Sequence, residues 1–422
     1  MRRLFYILVF LLTLMVMATL AIVALNLRGE DKLPQTPAAF DPTPAQVERG
    51  RYLALAGNCE GCHTARGGAP YAGGVGIETP FGTIFASNLT PDPQAGIGGW
   101  SADHFWRALH NGRSKNGRLL YPAFPYPNFT RVTREDSDAI FAYLRSVPPS
   151  PAPNLAHHLR FPYDTQPALA VWRALSFTPG TFEPDPAKSA AWNRGAYLVD
   201  GLGHCIACHG ARNVLGATQE KLGLSGGLIA VENWYAPSLT SKREAGVADW
   251  NPNEVAELLK NGRSARGSVM GPMADVVFGS TQHLQDADLL AMATYLKELP
   301  STAPATASTT SPKRDPRVME RGARIFDLRC AYCHGDQGQG AQNAYPPLAG
   351  NRAVLMDSAV NLIQIVRHGG FLPSTTGNPR PYGMPPFSPV LDDSDVAAVL
   401  TYVRGSWGND APPVTARDLM RR

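Results

Sequence analysis

The pattern Cys-x-x-Cys-His occurs three times along this chain, as Cys59-Glu60-Gly61-Cys62-His63, Cys205-Ile206-Ala207-Cys208-His209 and Cys330-Ala331-Tyr332-Cys333-His334. These motifs use all six cysteines of the 422 residues. Two thiols at this spacing share one turn and can form thioethers to the edge of a porphyrin, while the adjacent imidazole meets the metal from one side. A redox dithiol has the same cysteine spacing, and an exported protein could carry three disulfides, but neither requires the histidine. A structural zinc site needs its ligand pairs close together, whereas successive pairs here are more than 100 residues apart. The reading is therefore three covalently bound haem c groups, held by Cys59 and Cys62, Cys205 and Cys208, and Cys330 and Cys333, with His63, His209 and His334 as iron ligands.

Laid against itself, the chain repeats. Each motif follows an Arg-Gly pair by eight to ten residues: Arg49-Gly50, Arg194-Gly195 and Arg321-Gly322. The first two copies also share Gly73-Gly74 and Gly226-Gly227, then Asn88-Leu89-Thr90 and Ser238-Leu239-Thr240, then Trp100 and Trp250, then Asn-Gly-Arg-Ser at 111–114 and 261–264. Each copy closes on an acidic-start helical pattern, at Glu135 to Arg145, Asp286 to Leu299 and Asp392 to Arg404, with apolar residues at helical spacing. Pro148 begins a proline-rich stretch, and Ser301 to Pro316 has the composition of a linker.

These signals predict an all-α protein of three tandem cytochrome c-type domains behind an N-terminal transmembrane helix. The boundaries are a signal anchor over 1–30, domain 1 over 45–150, a proline-rich crossover over 151–187 and domain 2 over 188–300. A linker over 301–317, domain 3 over 318–407 and a polar tail over 408–422 complete the chain. Leu4 to Leu27 is interrupted only by Thr13, Thr19 and Asn26, which exceeds a signal-peptide core and reaches the roughly 20 residues needed to cross a bilayer. Arg2 and Arg3 orient it with the remainder outside, so we expect a bacterial inner-membrane anchor with periplasmic haem domains. A net charge of +4 without a basic, aromatic-interleaved patch argues against nucleic acid. No glycine-rich dinucleotide fingerprint or hydrolytic constellation marks substrate chemistry on this chain.

The second axial position narrows to a few side chains. Met384, in Tyr382-Gly383-Met384-Pro385-Pro386, is the choice in the third copy, and Met273, preferred to Met270, in the second. Methionine raises a haem's potential. No methionine lies between His63 and Cys205, and the corresponding loop reads Leu120-Tyr121-Pro122-Ala123-Phe124-Pro125-Tyr126. His110 is the first substitute and His104 the second, with another ligand or an open iron as alternatives. Arg113 and Arg263 are read as partners for haem propionates or a charged rim, and Trp100 and Trp250 as packing against the haem edge or core.

The stretches Gly73 to Asp92 (GGVGIETPFGTIFASNLTPD), Gly96 to Trp100 (GIGGW) and Gly117 to Tyr126 (GRLLYPAFPY) carry a resemblance, spanning about Val47 to Trp407, to the triheme cytochrome c subunits of bacterial membrane-associated dehydrogenases. The resemblance implies electron transfer from a catalytic dehydrogenase subunit to ubiquinone or a terminal oxidase. The alcohol dehydrogenase type commonly has methionine at the place of Phe124. The phenylalanine form looks more like the subunit accompanying molybdenum-dependent aldehyde or nicotinate dehydrogenases, which implies a molybdenum partner with an iron–sulfur subunit. The alternatives are a quinoprotein alcohol or flavin-dependent sugar dehydrogenase partner, a free-standing cytochrome feeding an oxidase, and a peroxidase-like or sensory haem protein.

Overall fold

The computed structural model describes residues 1–36, 38–229, 231–301 and 313–420. Most of the expected linker over 301–317 lies outside the described residues. The chain is largely helical, and one helix crossing recurs three times. Helix Pro44–Ala56 packs on Arg134–Ser146, Ala190–Ala196 on Asp286–Glu298, and Pro316–Arg329 on Asp393–Gly405. The Arg-Gly pairs explain the crossing. A Cβ on Gly50 would overlap the carbonyl oxygen of Ala139, on Gly195 that of Ala291, and on Gly322 that of Ala398. Only glycine lets two backbones approach so closely. The preceding arginine then reaches the carboxylate in the first turn of the same partner helix. Arg49 Nε donates to Asp136 at 2.7 Å, Arg194 Nε to Asp288 at 2.8 Å and Arg321 Nε to Asp395 at 2.9 Å.

Two of the closing helices begin on side-chain caps. The Thr133 hydroxyl accepts from the Asp136 N–H, and Asp392 forms a capping box with Asp395. In the first two repeats a middle helix, Ala102–Asn111 or Pro252–Asn261, starts on a capping box and stops at a left-handed glycine, Gly112 or Gly262. The all-α expectation needs one amendment, because short strands occur between the helices. Gly76–Thr79, Gly82–Phe85 and His158–Leu159 form a three-stranded antiparallel sheet, and Gly227–Ile229 pairs with Trp234–Ala236.

The proline-rich crossover is built into the fold. Its His158–Leu159 strand extends the first repeat's sheet, and its helix Gln166–Ser176 packs on the N-terminal helix Arg2–Leu27. That N-terminal helix has a mean hydropathy of 2.8 over its most apolar stretch and buries none of that stretch. Its last turn is docked by polar contacts. Asn26 is buried, its Nδ2 donating to the Ala170 carbonyl at 2.9 Å, while Arg173 Nε donates to its Oδ1 at 3.0 Å.

The C-terminal stretch differs from the expected polar tail. Helix Ala416–Met420 folds back on the third repeat, with Val414 and Leu419 buried in its core. Arg404 supplies the reason. Although buried, it donates to the carbonyls of Pro412 and Val354 at 2.8 Å each, so the segment after the closing helix is drawn inward.

One apolar core runs through the first two repeats, from Leu53 and Phe141 to Leu198 and Leu289, while the third has separate clusters around Val396 and Val399. The first two repeats are joined reciprocally. Tyr52 of the first donates to Asp288 of the second, and Tyr197 of the second to Asp136 of the first, each at 2.6 Å. The third repeat has Arg324 at the equivalent place, bonded to Glu320 on its own helix at 2.8 Å.

Candidate haem-attachment sites

Each Cys-x-x-Cys-His motif forms a single helical turn after its opening helix: Cys59–His63, Ile206–His209 following Cys205, and Ala331–His334 following Cys330. All six thiols are free. Burial pushes Cys59 and Cys205 up to about 12 and Cys330 to about 11. Such thiols are protonated at neutral pH, unlike the low-pKa cysteine of a dithiol oxidoreductase. The described residues hold no group of three or more His, Cys, Asp or Glu side chains suited to a metal ion.

The three histidines share one arrangement. Nδ1 of His63 faces the Ser87 carbonyl at 2.6 Å, that of His209 the Pro237 carbonyl at 2.7 Å, and that of His334 the Pro346 carbonyl at 3.1 Å. A carbonyl only accepts, so Nδ1 carries the proton and Nε2 keeps its lone pair for a metal. Burial holds all three imidazoles below the usual value, with the carbonyl opposing the shift. In the first two repeats the acceptor immediately precedes the shared Asn/Ser-Leu-Thr turn. The turn was visible in the sequence, but its use as a brace for histidine was not.

A cavity of about 510 Å³ joins the second and third sites and is lined by Cys205, His209, Met273, Cys330, His334 and Met384. Its walls are mostly apolar, which suits a porphyrin plane. Trp250 also lines this cavity, and its buried indole N–H has no acceptor among the described residues, so it could serve an anionic group such as a propionate. The donor set, the bracing of the histidines, the paired free thiols and this orphaned donor all fit haem c. Met270 lines the cavity as well, but its methyl is directed at Gly370 of the third repeat. Met273 instead packs on the core that also carries Cys205. His204, next to Cys205, is bonded to the backbone of Gly57, two residues before Cys59, so the first and second motifs are neighbours.

Other sequence-read positions have protein partners of their own. Arg113 donates to Glu30 at 2.8 Å, to the Gly117 carbonyl at 2.8 Å and to the Asn26 carbonyl at 3.1 Å. Arg263 donates to the Asn343 carbonyl at 2.7 Å and the Gly377 carbonyl at 3.2 Å. Both arginines therefore clamp a neighbouring segment, the N-terminal helix end in one case and the third repeat in the other. His110 places Nδ1 at 2.8 Å from the Thr130 carbonyl and stacks on Trp106 with ring centroids 4.4 Å apart. Lys260, its counterpart in the second repeat, donates to the Leu284 carbonyl at 2.5 Å. His110 thus braces the middle helix against the segment that precedes the closing helix, in the place that Lys260 fills in the second repeat. His104 caps its own helix through Ser101. Trp100 packs on the shared core, as expected.

The cytochrome c family profile matches residues 47–148 and 319–407. The cytochrome c subunit of the quinone-type alcohol dehydrogenase of Gluconacetobacter polyoxogenes is 38% identical over 421 residues, covering 96% of this chain and 89% of that one. The gluconate 2-dehydrogenase cytochrome c subunit of Pantoea cypripedii is 38% identical over 397 residues, 89% of each. A nicotinate dehydrogenase chain of Pseudomonas putida is 41% identical over 397 residues, 92% of this chain but 32% of that protein. Shared over nearly its whole length with such subunits, the chain belongs to the family of dehydrogenase cytochrome c subunits, haem c proteins that transfer electrons within a dehydrogenase complex.

Proposed function

We propose that the chain carries three haem c groups in three cytochrome c domains and relays electrons from a quinoprotein or flavin-dependent alcohol or sugar dehydrogenase to ubiquinone or a terminal oxidase. Thioethers form at Cys59 and Cys62, Cys205 and Cys208, and Cys330 and Cys333. His63, His209 and His334 supply the nearer iron ligands, and Met273 and Met384 the opposite ones at the second and third sites. The observation that carries this reading is the threefold His–carbonyl brace, with the first two motifs adjacent and the second and third joined by one cavity. When bound, the haems supply one-electron redox chemistry. The protein sets ligand, burial and spacing. Helix Arg2–Leu27 anchors the chain in the inner membrane, with the repeats on the periplasmic side.

The partner expected from Phe124, a molybdenum-dependent enzyme with an iron–sulfur subunit, gives way to the alcohol or sugar type. Relatives named for alcohol and gluconate dehydrogenases match this chain along nearly their own full length, whereas the nicotinate dehydrogenase chain matches over 32% of its length. Phe124 and the 41% identity keep the molybdenum branch as the second reading. The deciding experiment is gentle detergent extraction of the native membrane complex, followed by identification of co-purifying subunits and cofactors. Pyrroloquinoline quinone or flavin on a large subunit is the expected result. Molybdenum with an iron–sulfur protein would select the second reading, and a chain with no partner would overturn both.

A further inference from the structure

We propose that the iron held at the first motif has no protein side chain in its sixth position and takes one small neutral diatomic ligand there, while the irons of the second and third sites do not. The proposal rests on the haem reading of Cys59, Cys62 and His63.

The argument starts from backbone register. After the middle helix of the first repeat, the Leu120 N–H donates to the Gly112 carbonyl at 2.8 Å, and in the second repeat the Val269 N–H donates to the Gly262 carbonyl at 2.8 Å. Arg113 bridges to Leu119 as Arg263 pairs with Ser268. The two loops are therefore in register. Four residues beyond Leu120 comes Phe124, and four beyond Val269 comes Met273. Phe124 packs on the same core as Cys59, just as Met273 packs on it with Cys205. The place that carries a thioether sulfur in the second repeat carries a benzene ring in the first.

Nearby histidines are committed elsewhere. His110 holds the place of Lys260, which does not line the second-site cavity, and is stacked on Trp106, while His104 is tied into its helix cap. His157 Nδ1 accepts from the Phe85 N–H at 3.2 Å, which leaves the proton on Nε2 and no lone pair for iron. His204 is bonded to the Gly57 backbone and rests edge-on against Phe129. Phe124 itself lies against Phe129 and Tyr126, with centroids 5.4 and 6.4 Å away. The Phe124 and Phe129 rings offer no hydrogen bond to a bound anion and leave little room, which favours a compact neutral π-acceptor such as carbon monoxide over imidazole-sized bases.

The test uses the full-length haem-loaded chain in detergent. Covalent haem content is measured as the pyridine haemochromogen, and the dithionite-reduced protein is titrated with carbon monoxide. The expected result is three haems and one carbon monoxide per chain, with uptake abolished in Phe124→Met. In the oxidised wild-type chain, one third of the iron should give a high-spin ferric resonance, a readout that does not depend on the variant folding. No uptake with all iron low-spin, or uptake unchanged in a three-haem Phe124→Met chain, overturns the open position. Fewer than three covalent haems would instead count against the haem assignment on which it rests.

Discussion

Gly50, Gly195 and Gly322 show most clearly how one residue type sets the geometry here, because each removes a Cβ where two helices cross. Gly195→Ala should cost about 3 kcal/mol, at the upper end of overpacking effects, and lower the melting temperature of the first two repeats by several degrees. Gly180→Ala is the control, since a Cβ there meets nothing within 4 Å, and it should leave melting unchanged. The reciprocal tyrosines give a second residue-scale test. Burial alone would raise the Asp288 carboxyl, but hydrogen bonds from Arg194 and Tyr52 outweigh it and hold it below its usual value. Burial and the same hydrogen bond push the Tyr52 hydroxyl up to about 12. A depressed carboxyl contributes stability that is complete above its unfolded value, near 4, and is lost as pH falls through the lower folded value. Tyr52→Phe should cost about 1.5–3 kcal/mol at pH 7, the range for a hydrogen bond to a charged group. It should also shrink the acid-side loss, as read from urea unfolding between pH 7 and pH 3.

At the scale of elements, the N-terminal helix is joined to the body by a compact polar joint. Arg113 and Arg107 both approach Glu30, Arg28 donates to the Phe177 carbonyl at 2.7 Å, Asn111 Nδ2 donates to the Gly29 carbonyl at 3.0 Å, and Arg173 also bonds the Asn111 carbonyl. The Arg113–Glu30 pair is largely shielded, so removing one partner strands a charge. Arg113→Ala should speed amide exchange over residues 26–31 by at least tenfold while leaving exchange in the closing helix Asp393–Gly405 unchanged, as read by hydrogen-exchange mass spectrometry. Equal protection in variant and parent would mean that the joint does not hold the helix. The Asn-Gly-Arg-Ser repeat was plain in the sequence, but not its purpose. Arg113 and Glu30 are 83 residues apart, and no local spacing encodes such a contact.

Across the whole molecule, the shared core and the two Tyr–Asp bonds make the first two repeats a single packed body, whereas the third has its own clusters. Contacts between this body and the third repeat are fewer and more polar. They include Arg352 with Asp249 at 2.6 Å and Asn361 with the Tyr235 backbone at 2.7 and 2.8 Å. Calorimetry of the haem-loaded chain should therefore resolve two transitions. The double variant Tyr52→Phe/Tyr197→Phe should lower only the one belonging to the first two repeats. A single transition, shifted as a whole, would show that the third repeat is part of the same cooperative unit.

The motifs, the Arg-Gly starts, the acidic-start helices and the long apolar N-terminal segment were legible in the sequence, because each is a matter of short spacing between residue types. The closing helices end within a residue or two of where the pattern places them. Tertiary structure alone decided which repeats pair. The deciding positions, Tyr52 and Tyr197 against Arg324, look like ordinary helix-surface residues until their carboxylate partners, 236 and 61 residues away, are in view. It also supplied the partners of Arg113, Arg263 and His110, backbone carbonyls and a carboxylate brought in by folding. Covalent attachment needs only atoms a few bonds apart, so sequence suffices for it. Which groups face a cavity, and which brace the wall behind it, depends on contacts that chain order does not contain.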